Sequence, residues 1–249
     1  MNILVCISVV PDTTSKINFT ESNTKFDRNG VTFIINPLDE FCLTKAIFIK
    51  ESLGANVTVL NVGTPENDSV LRKALAIGAD NAIRINSQSN NSLSVAKLMA
   101  NYIRSKEYDI IFCGKESIDY NGGKVPGFLS SMLSIPFINA CVGLDFENEF
   151  LITKNEIDDG IQVCKCQKPI IIAGQKGLVQ EKDLRIPSMR GIMTARTKPL
   201  EVINTENEVK SNIRTISFEL PEQKSLCKMI EPENVNELID LLQNEAKVL

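Results

Sequence analysis

Short apolar runs and amphipathic stretches alternate through the first half of the chain, and this alternation constrains the fold more than any other feature. Ile3–Val9 reads as a strand, Leu38–Leu53 as a helix, Asn56–Val62 as a strand and Glu66–Ile77 as a helix; Asn81–Ile85, Ser92–Ser105 and Ile110–Cys113 continue the pattern. Strands joined through helices run parallel, because a helical crossover returns the chain to the same end of the sheet. The expected fold class is α/β, a doubly wound and mostly parallel sheet with helices on both faces. Ligands of such sheets lie beyond the carboxyl ends of the strands, where strand order reverses. The loops after Val9, Val62 and Cys113 are therefore the ones to examine.

Several segments depart from the alternation. Pro11 to Pro37 is a long insert in which INF and VTFII flank the turn signal DRNG, which predicts a β-hairpin. A second hairpin is expected over Leu144–Thr153 and Ile161–Cys166, ahead of an apolar strand at Pro169–Ala173. Lys182–Pro199 breaks the pattern and reads as a loop, with Lys182, Arg185, Arg190, Arg196 and Lys198 set around Met189, Ile192 and Met193. The tail holds one strand-like run, Ile213–Leu220, and one amphipathic helix, Asn234–Lys247. At 249 residues the chain accommodates one domain with an appendage. The expected division is an α/β nucleotide-binding domain over 1–181, then a docking loop and C-terminal arm over 182–249.

Composition narrows the function. There is no histidine, which removes Ser-His-Asp and Cys-His nucleophilic catalysis, HExxH metalloprotease chemistry and His-ligated haem. Catalysis by a carboxylate, a lysine or a bound cofactor stays open. A net charge of −4 argues against nucleic-acid binding, and no apolar run approaches the roughly 18 residues of a spanning helix. MNILVCISVV has no basic n-region and reads as a first strand, which points to a cytoplasmic protein without membrane insertion. Cys6, Cys42, Cys113 and Cys141 lie in or beside apolar runs, as small buried hydrophobes do. Cys164 and Cys166 form a lone CxC with no second pair to complete a metal site, so no metal is expected.

The segment DIIFCGKESIDYNGGKVPGFLSSMLSI, Asp109–Ile135, is the most informative one for binding. A buried strand enters a loop rich in glycine, asparagine and aspartate, and an apolar helix starts near Val125. Backbone N–H groups at such a junction favour an anion, and phosphate is the natural guest. Lys124 would add a charged contact, and Asp119 or Asn121 would meet a ribose hydroxyl or order the loop. An ordinary βα turn with glycines at positive φ accounts for the same spacing. Asn36-Pro37-Leu38-Asp39 either caps the first helix or offers Asn36 to a purine edge or ribose. Cys6 to Ser8 and Val62-Gly63 would form floor and wall, though a packed sheet edge wants small residues there too. Met189, Ile192 and Met193 among charges have the anatomy of a protein-docking surface.

Taken together and in order, VCISVVPDTTSKI, INPLDEFCLTKAI, VTVLNVG followed by LRKALAIGAD, GKESIDYNGGKVPGFLSSML, NEIDDGIQVCKCQKPIIIA and MRGIMTARTKPLEV resemble the beta subunits of electron transfer flavoproteins across nearly the whole chain. LRKALAIGAD and IMTARTKPLEV are the more specific matches. The resemblance implies a Rossmann-like fold of the adenine-nucleotide-binding type, paired with a larger alpha subunit that holds FAD. It implies a structural AMP contacted by Cys6, Asn36, Pro37, Leu38, Asp39, Val62 and the loop Gly114, Lys115, Asp119, Tyr120, Asn121, Gly122, Gly123, Lys124 and Val125. Thr13 would approach the partner's flavin. Met189, Arg190, Ile192, Met193 and Arg196 would form the recognition loop for acyl-CoA dehydrogenases, with Met189 as apolar anchor. Electrons would leave to a membrane-bound quinone oxidoreductase. Four features depart from the family pattern: Gly122-Gly123-Lys124 replaces a Thr-x-Gln-like pattern, Asn155 stands where a basic residue is usual, Cys164 where an aliphatic one is, and the recognition loop is less lysine-rich than in mitochondrial-type relatives. Some relatives bind a second FAD in place of AMP and bifurcate electrons from NADH, and the VPDT and NPLDE segments resemble theirs.

Overall fold

The computed structural model describes residues 1–88, 91–204, 213–222 and 227–249. The chain opens with β1 (Asn2–Cys6), β2 (Val9–Pro11), two-residue strands β3 (Phe19–Thr20) and β4 (Lys25–Phe26), then β5 (Phe33–Ile35) and helix α1 (Pro37–Leu53). There follow β6 (Asn56–Gly63), α2 (Asp68–Ile77), β7 (Asn81–Asn86), α3 (Ser92–Ile103), β8 (Ile110–Gly114) and α4 (Val125–Leu133). The second half holds β9 (Phe137–Glu147), β10 (Phe150–Ile157), β11 (Gly160–Cys166), β12 (Ile170–Gly174), α5 (Met189–Ala195), β13 (Leu200–Asn204) and α6 (Val235–Asp240).

Among the described residues the main sheet runs β11-β10-β9-β12-β8-β1-β6-β7-β13. Every pairing from β9 across to β13 is parallel, while β9, β10 and β11 form an antiparallel meander at one edge. The chain steps outward from β1 through β6 to β7 and then crosses back to β8 on the other side of β1. Strand order thus reverses between β1 and β8, as a doubly wound sheet requires.

β1 shows why these residues make a central strand. Ile3 and Val5 belong to the core on one face with Cys42, Leu43 and Ala46 of α1 and Leu71 and Leu75 of α2. Leu4 and Cys6 belong to the opposite core with Leu98 and Met99 of α3 and Leu129 of α4. Successive side chains point to opposite faces, so a strand sandwiched between helix layers must be apolar at every position. Emptying one such site, as in Leu4→Ala, carries a cost of about 2–5 kcal/mol.

The expected helices and parallel strands form with small shifts at their ends; five segments differ. β1 stops at Cys6 because the Ser8 N–H is bound by the Asp39 carboxylate (2.7 Å) instead of a neighbouring strand. In the insert, VTFII does not pair with INF across DRNG: Phe33–Ile35 pairs with Val9–Pro11, and the hairpin is β3 with β4. Its turn is made by Glu21, Ser22 and Asn23, all at positive φ, a backbone that asparagine tolerates better than most residues. The second hairpin is a three-stranded meander instead, because its expected first arm, Leu144–Thr153, is broken by the turn between β9 and β10, where Asn148 sits at φ 54°. Lys182–Pro199 is not all loop, since Ser188 Oγ accepts from Gly191 N (3.0 Å) and caps α5. Ile213–Leu220 forms no strand in the described residues.

The chain divides into two compact units, Met1–Asn18 with Asp27–Arg214, and Phe19–Phe26 with Thr215–Leu249. In the second, Phe218 stacks on Phe19 (centroids 4.9 Å apart, planes at 6°) and its N–H donates to Asn23 O at 2.7 Å. No residue of α6 is buried, and Val235, Leu238 and Ile239 are exposed along it.

Candidate functional site: the crevice past β1 and β8

Polar side chains tie the strand ends into a frame. Asp39, in the first turn of α1, accepts from Ser8 N through Oδ2 (2.7 Å) and from Gly114 N through Oδ1 (2.6 Å). One carboxylate thus joins the carboxyl ends of β1 and β8. Burial pushes its pKa up to about 7, against the opposing pull of the Ser8 and Gly114 N–H donors. Asn36 is fully buried and does not cap α1. Its Nδ2 donates to Glu116 O (2.9 Å) and its Oδ1 accepts from Ile118 N (3.2 Å), clamping the inner half of the β8–α4 loop. Pro37 takes the first helical position as its fixed φ predicts.

The outer half of that loop is open. Asp119, Tyr120, Asn121, Gly123 and Lys124 are exposed, while Lys115, Gly122 and Val125 are half-buried. Asn121 and Gly123 take left-handed backbone at φ 47° and 58°. Lys124 flanks α4 without a side-chain cap, Pro126 has no N–H and Phe128 N donates to Lys124 O, so the open donors of the first turn are the Val125 and Gly127 N–H groups. A Cβ at Gly127 would meet nothing within 4 Å, and one at Gly122 only Ser92 Oγ at 3.7 Å. Glycine backbone, an uncapped helix start and Lys124 fit a phosphate by shape and charge.

Cys6 and Cys113 are buried at this end of the sheet. The Cys113 thiol is pushed up by its hydrogen bond with Cys6 and by burial, and burial pushes up Cys42, whose Sγ donates to Cys113 O at 3.1 Å. They pack as small neutral groups. Val62 is half-buried at the end of β6, and Thr13 is exposed in a turn where Asp12 Oδ1 accepts from Thr14 N (2.9 Å) and Thr14 Oγ1 (2.6 Å).

Sequence reasoning missed three residues of the frame. Asn61 Nδ2 donates to Ile7 O (2.8 Å) and Asn67 Nδ2 to Asn61 Oδ1 (3.0 Å), bracing β6 against β1. Arg84, buried on β7, binds Asp68 Oδ1 (2.6 Å), Gly63 O (3.2 Å) and Asn86 Oδ1 (2.9 Å). An arginine inside the strand NAIRIN was the available signal, because a buried charge demands partners.

On α5, Met189, Ile192, Met193 and Arg196 share one helical face and all are exposed, as is Arg190. Met189 is 79 % and Met193 69 % exposed, high values for long apolar side chains. The two departures in the β10–β11 hairpin touch each other, Asn155 Nδ2 to Cys164 Sγ at 3.5 Å. Among the described residues no three Cys, Asp or Glu side chains converge as they would for a metal ion. A cavity of about 510 Å³ lies at the amino ends of β1 and β8, bounded by Asn2, Tyr108 and Asp109, at the opposite end of the sheet from the glycine loop.

Residues 23–207 match the family model described as the electron transfer flavoprotein domain. The chain is 32% identical over 262 residues to the electron transfer flavoprotein subunit beta of Bacillus subtilis (strain 168), covering 100% of both chains. It is 32% identical over 213 residues to the subunit of the same name from Thermoanaerobacterium thermosaccharolyticum, covering 84% of this chain and 80% of the relative. It is 27% identical over 269 residues to the acryloyl-CoA reductase electron transfer subunit gamma of Anaerotignum propionicum, covering 98% and 99%. With the reversal of strand order at β1 and β8 and an open glycine loop above it, these matches establish that the chain belongs to the electron transfer flavoprotein family, as a beta subunit.

Proposed function

We propose that this chain is the nucleotide-holding and dehydrogenase-docking half of an electron-carrying heterodimer, with no independent catalytic residues. Its alpha partner holds most of the FAD, and Thr13 faces that flavin. The FAD supplies the redox chemistry when bound. The crevice takes AMP as a structural element: the Gly122–Lys124 backbone and the start of α4 hold the phosphate, while Asp39 and Asn36 fix the walls from behind. Acyl-CoA dehydrogenases dock on the apolar face of α5 and pass electrons in, and a quinone oxidoreductase takes them out. Among the described residues no helix is long and apolar enough to cross a membrane.

The observation that carries this reading is the open, uncapped start of α4 with glycine surface beside it. Asn36, Asp39, Asn61 and Arg84, buried at this end of the sheet, are paired internally, whereas these N–H groups have no side-chain partner. Denaturing the purified heterodimer and quantifying released adenine nucleotide and flavin tests it. One AMP and one flavin per heterodimer is the expected result, and absence of adenine nucleotide beyond FAD would overturn the AMP site.

A second reading, favoured by likeness to a subunit named for acryloyl-CoA reductase, places a second FAD in the same crevice of an NADH-oxidising, electron-bifurcating complex. Two flavins per heterodimer and no AMP would establish it over the first.

A further inference from the structure

Two cations from distant parts of the chain fasten α5 to α2. Arg72 Nη1 donates to Ala195 O at 2.7 Å and to Lys198 O at 2.6 Å, carbonyls at and just past the C-terminal end of α5. Lys198 reciprocates, its Nζ donating to Leu75 O at 3.0 Å and Ala79 O at 2.6 Å around the C-terminal end of α2. Each charge thus sits where a helix leaves carbonyls unpaired and its dipole favours a cation. Between them the helices touch at Gly191, where a Cβ would overlap the Ala76 carbonyl oxygen. A helix of 7 residues is too short to hold its shape alone in water. The direction in which its exposed methionines point is therefore set by this joint.

We propose that Arg72, with Lys198, is a positioning residue for docking: it holds α5 in the pose that presents Met189 and Met193 to a dehydrogenase. The proposal rests on reading α5 as the docking surface. The α2 contact lies at Gly191, about 160–200° around the helix from Met189 and Met193 at about 100° per residue, and the hydrogen bonds of Arg72 go to carbonyls at and past the end of α5. Removing it leaves the docking face chemically intact and takes away its preorganisation. A loosened helix must be ordered by the incoming partner, which weakens association without altering the transfer step.

The test uses the complete heterodimer, with a short-chain acyl-CoA dehydrogenase and butyryl-CoA as electron source. Arg72→Met is expected to raise the KM for the carrier about tenfold, corresponding to about 1.4 kcal/mol, with kcat and flavin content unchanged. Amide hydrogen exchange at Ile192 and Arg196 speeds up in parallel. Arg72→Lys, which restores a point charge without the planar fork, recovers part of both effects. Met189→Ala controls for the underlying reading: an unchanged KM there removes α5 as the docking surface, and the exchange data still show whether the joint exists. A raised KM in Met189→Ala beside an unchanged KM in Arg72→Met overturns the positioning role. So does a fall in kcat or loss of flavin in Arg72→Met, which would mean that Arg72 serves the fold as a whole.

Discussion

Replacing Asp39 with asparagine tests how the crevice is held together. The side chain is 2 % exposed, and its two oxygens accept from Ser8 N at 2.7 Å and Gly114 N at 2.6 Å. Asparagine has the same outline but one acceptor, so its NH2 group faces one of the two backbone N–H donors. Losing that bond and stranding a buried N–H costs about 1.5–3 kcal/mol, a fall in Tm of roughly 3–12 °C at about 2–4 °C per kcal/mol for a chain of this length. The pH dependence is sharper. Burial lifts the folded carboxyl to about 7, while an unfolded aspartate titrates near 3.9. Between those values the folded state binds the proton and the unfolded state does not. Wild-type stability is thus fully present below about pH 4 and is lost as pH rises toward about 7. About three pH units at about 1.36 kcal/mol each bound that loss at about 4 kcal/mol. The asparagine variant has no such group, so its deficit is widest at about pH 4 and below and shrinks toward about pH 8. Scanning calorimetry of both proteins across that range reads the difference. A deficit that widens with pH would refute the reasoning, because it would mean that the two N–H donors and the α1 N-terminus outweigh burial and keep the carboxylate ionised.

Three further outcomes follow from the geometry. Gly123 sits at φ 58° with only Lys115 O (3.5 Å) near its missing Cβ, so Gly123→Ala strains the backbone by about 1 kcal/mol without a clash; it lowers nucleotide per heterodimer more than Lys124→Ala does, and the reverse order in extracted-nucleotide assays would place the ammonium above the backbone. Phe218→Ala removes a stack worth about 0.5–1.5 kcal/mol, and faster limited proteolysis within 213–222 is expected; an unchanged cleavage pattern would show that the stack does not restrain the tail. Of 7 cysteines 4 are buried, leaving 3, so a thiol reagent labels at most 3 in the native protein and Cys227 first; early labelling of Cys6 or Cys113 would contradict the closed sheet end.

What was legible in the sequence follows from how each element is stabilised. β1, β6, β8 and β12 are buried on both faces, and such strands are written as unbroken apolar runs that need no distant information. The insert misled because VTFII has strand character but its partner, Val9–Pro11, lies beyond the turn signal that suggested a hairpin. Two-residue strands such as β3 and β4 carry no periodicity at all. The loops were found where a doubly wound sheet puts them, yet the role of Asn36 was not readable. Its neighbours Pro37 and Leu38 spell a helix start, while its amide reaches a loop 80 residues away. LRKALAIGAD and MRGIMTARTKPLEV each stood out singly. Only the fold shows that Arg72 of one and Lys198 of the other complete a single joint.

The frame and the opening divide the crevice by chemical type. Asn36, Asp39, Asn61 and Arg84, the buried polar side chains nearest the strand ends, donate and accept within the protein, and a buried group already paired gains nothing from a ligand that would displace its partner. What faces outward is backbone at Gly122 and Gly123, the first turn of α4, and the flexible side chain of Lys124. Recognition built from backbone N–H groups reads a phosphate and says little about what the phosphate is attached to. AMP and the adenylate half of FAD offer that same group. The choice between a structural nucleotide and a second flavin therefore lies in the space beyond the loop, where the alpha partner sits in the proposed heterodimer, more than in the residues that grip the phosphate.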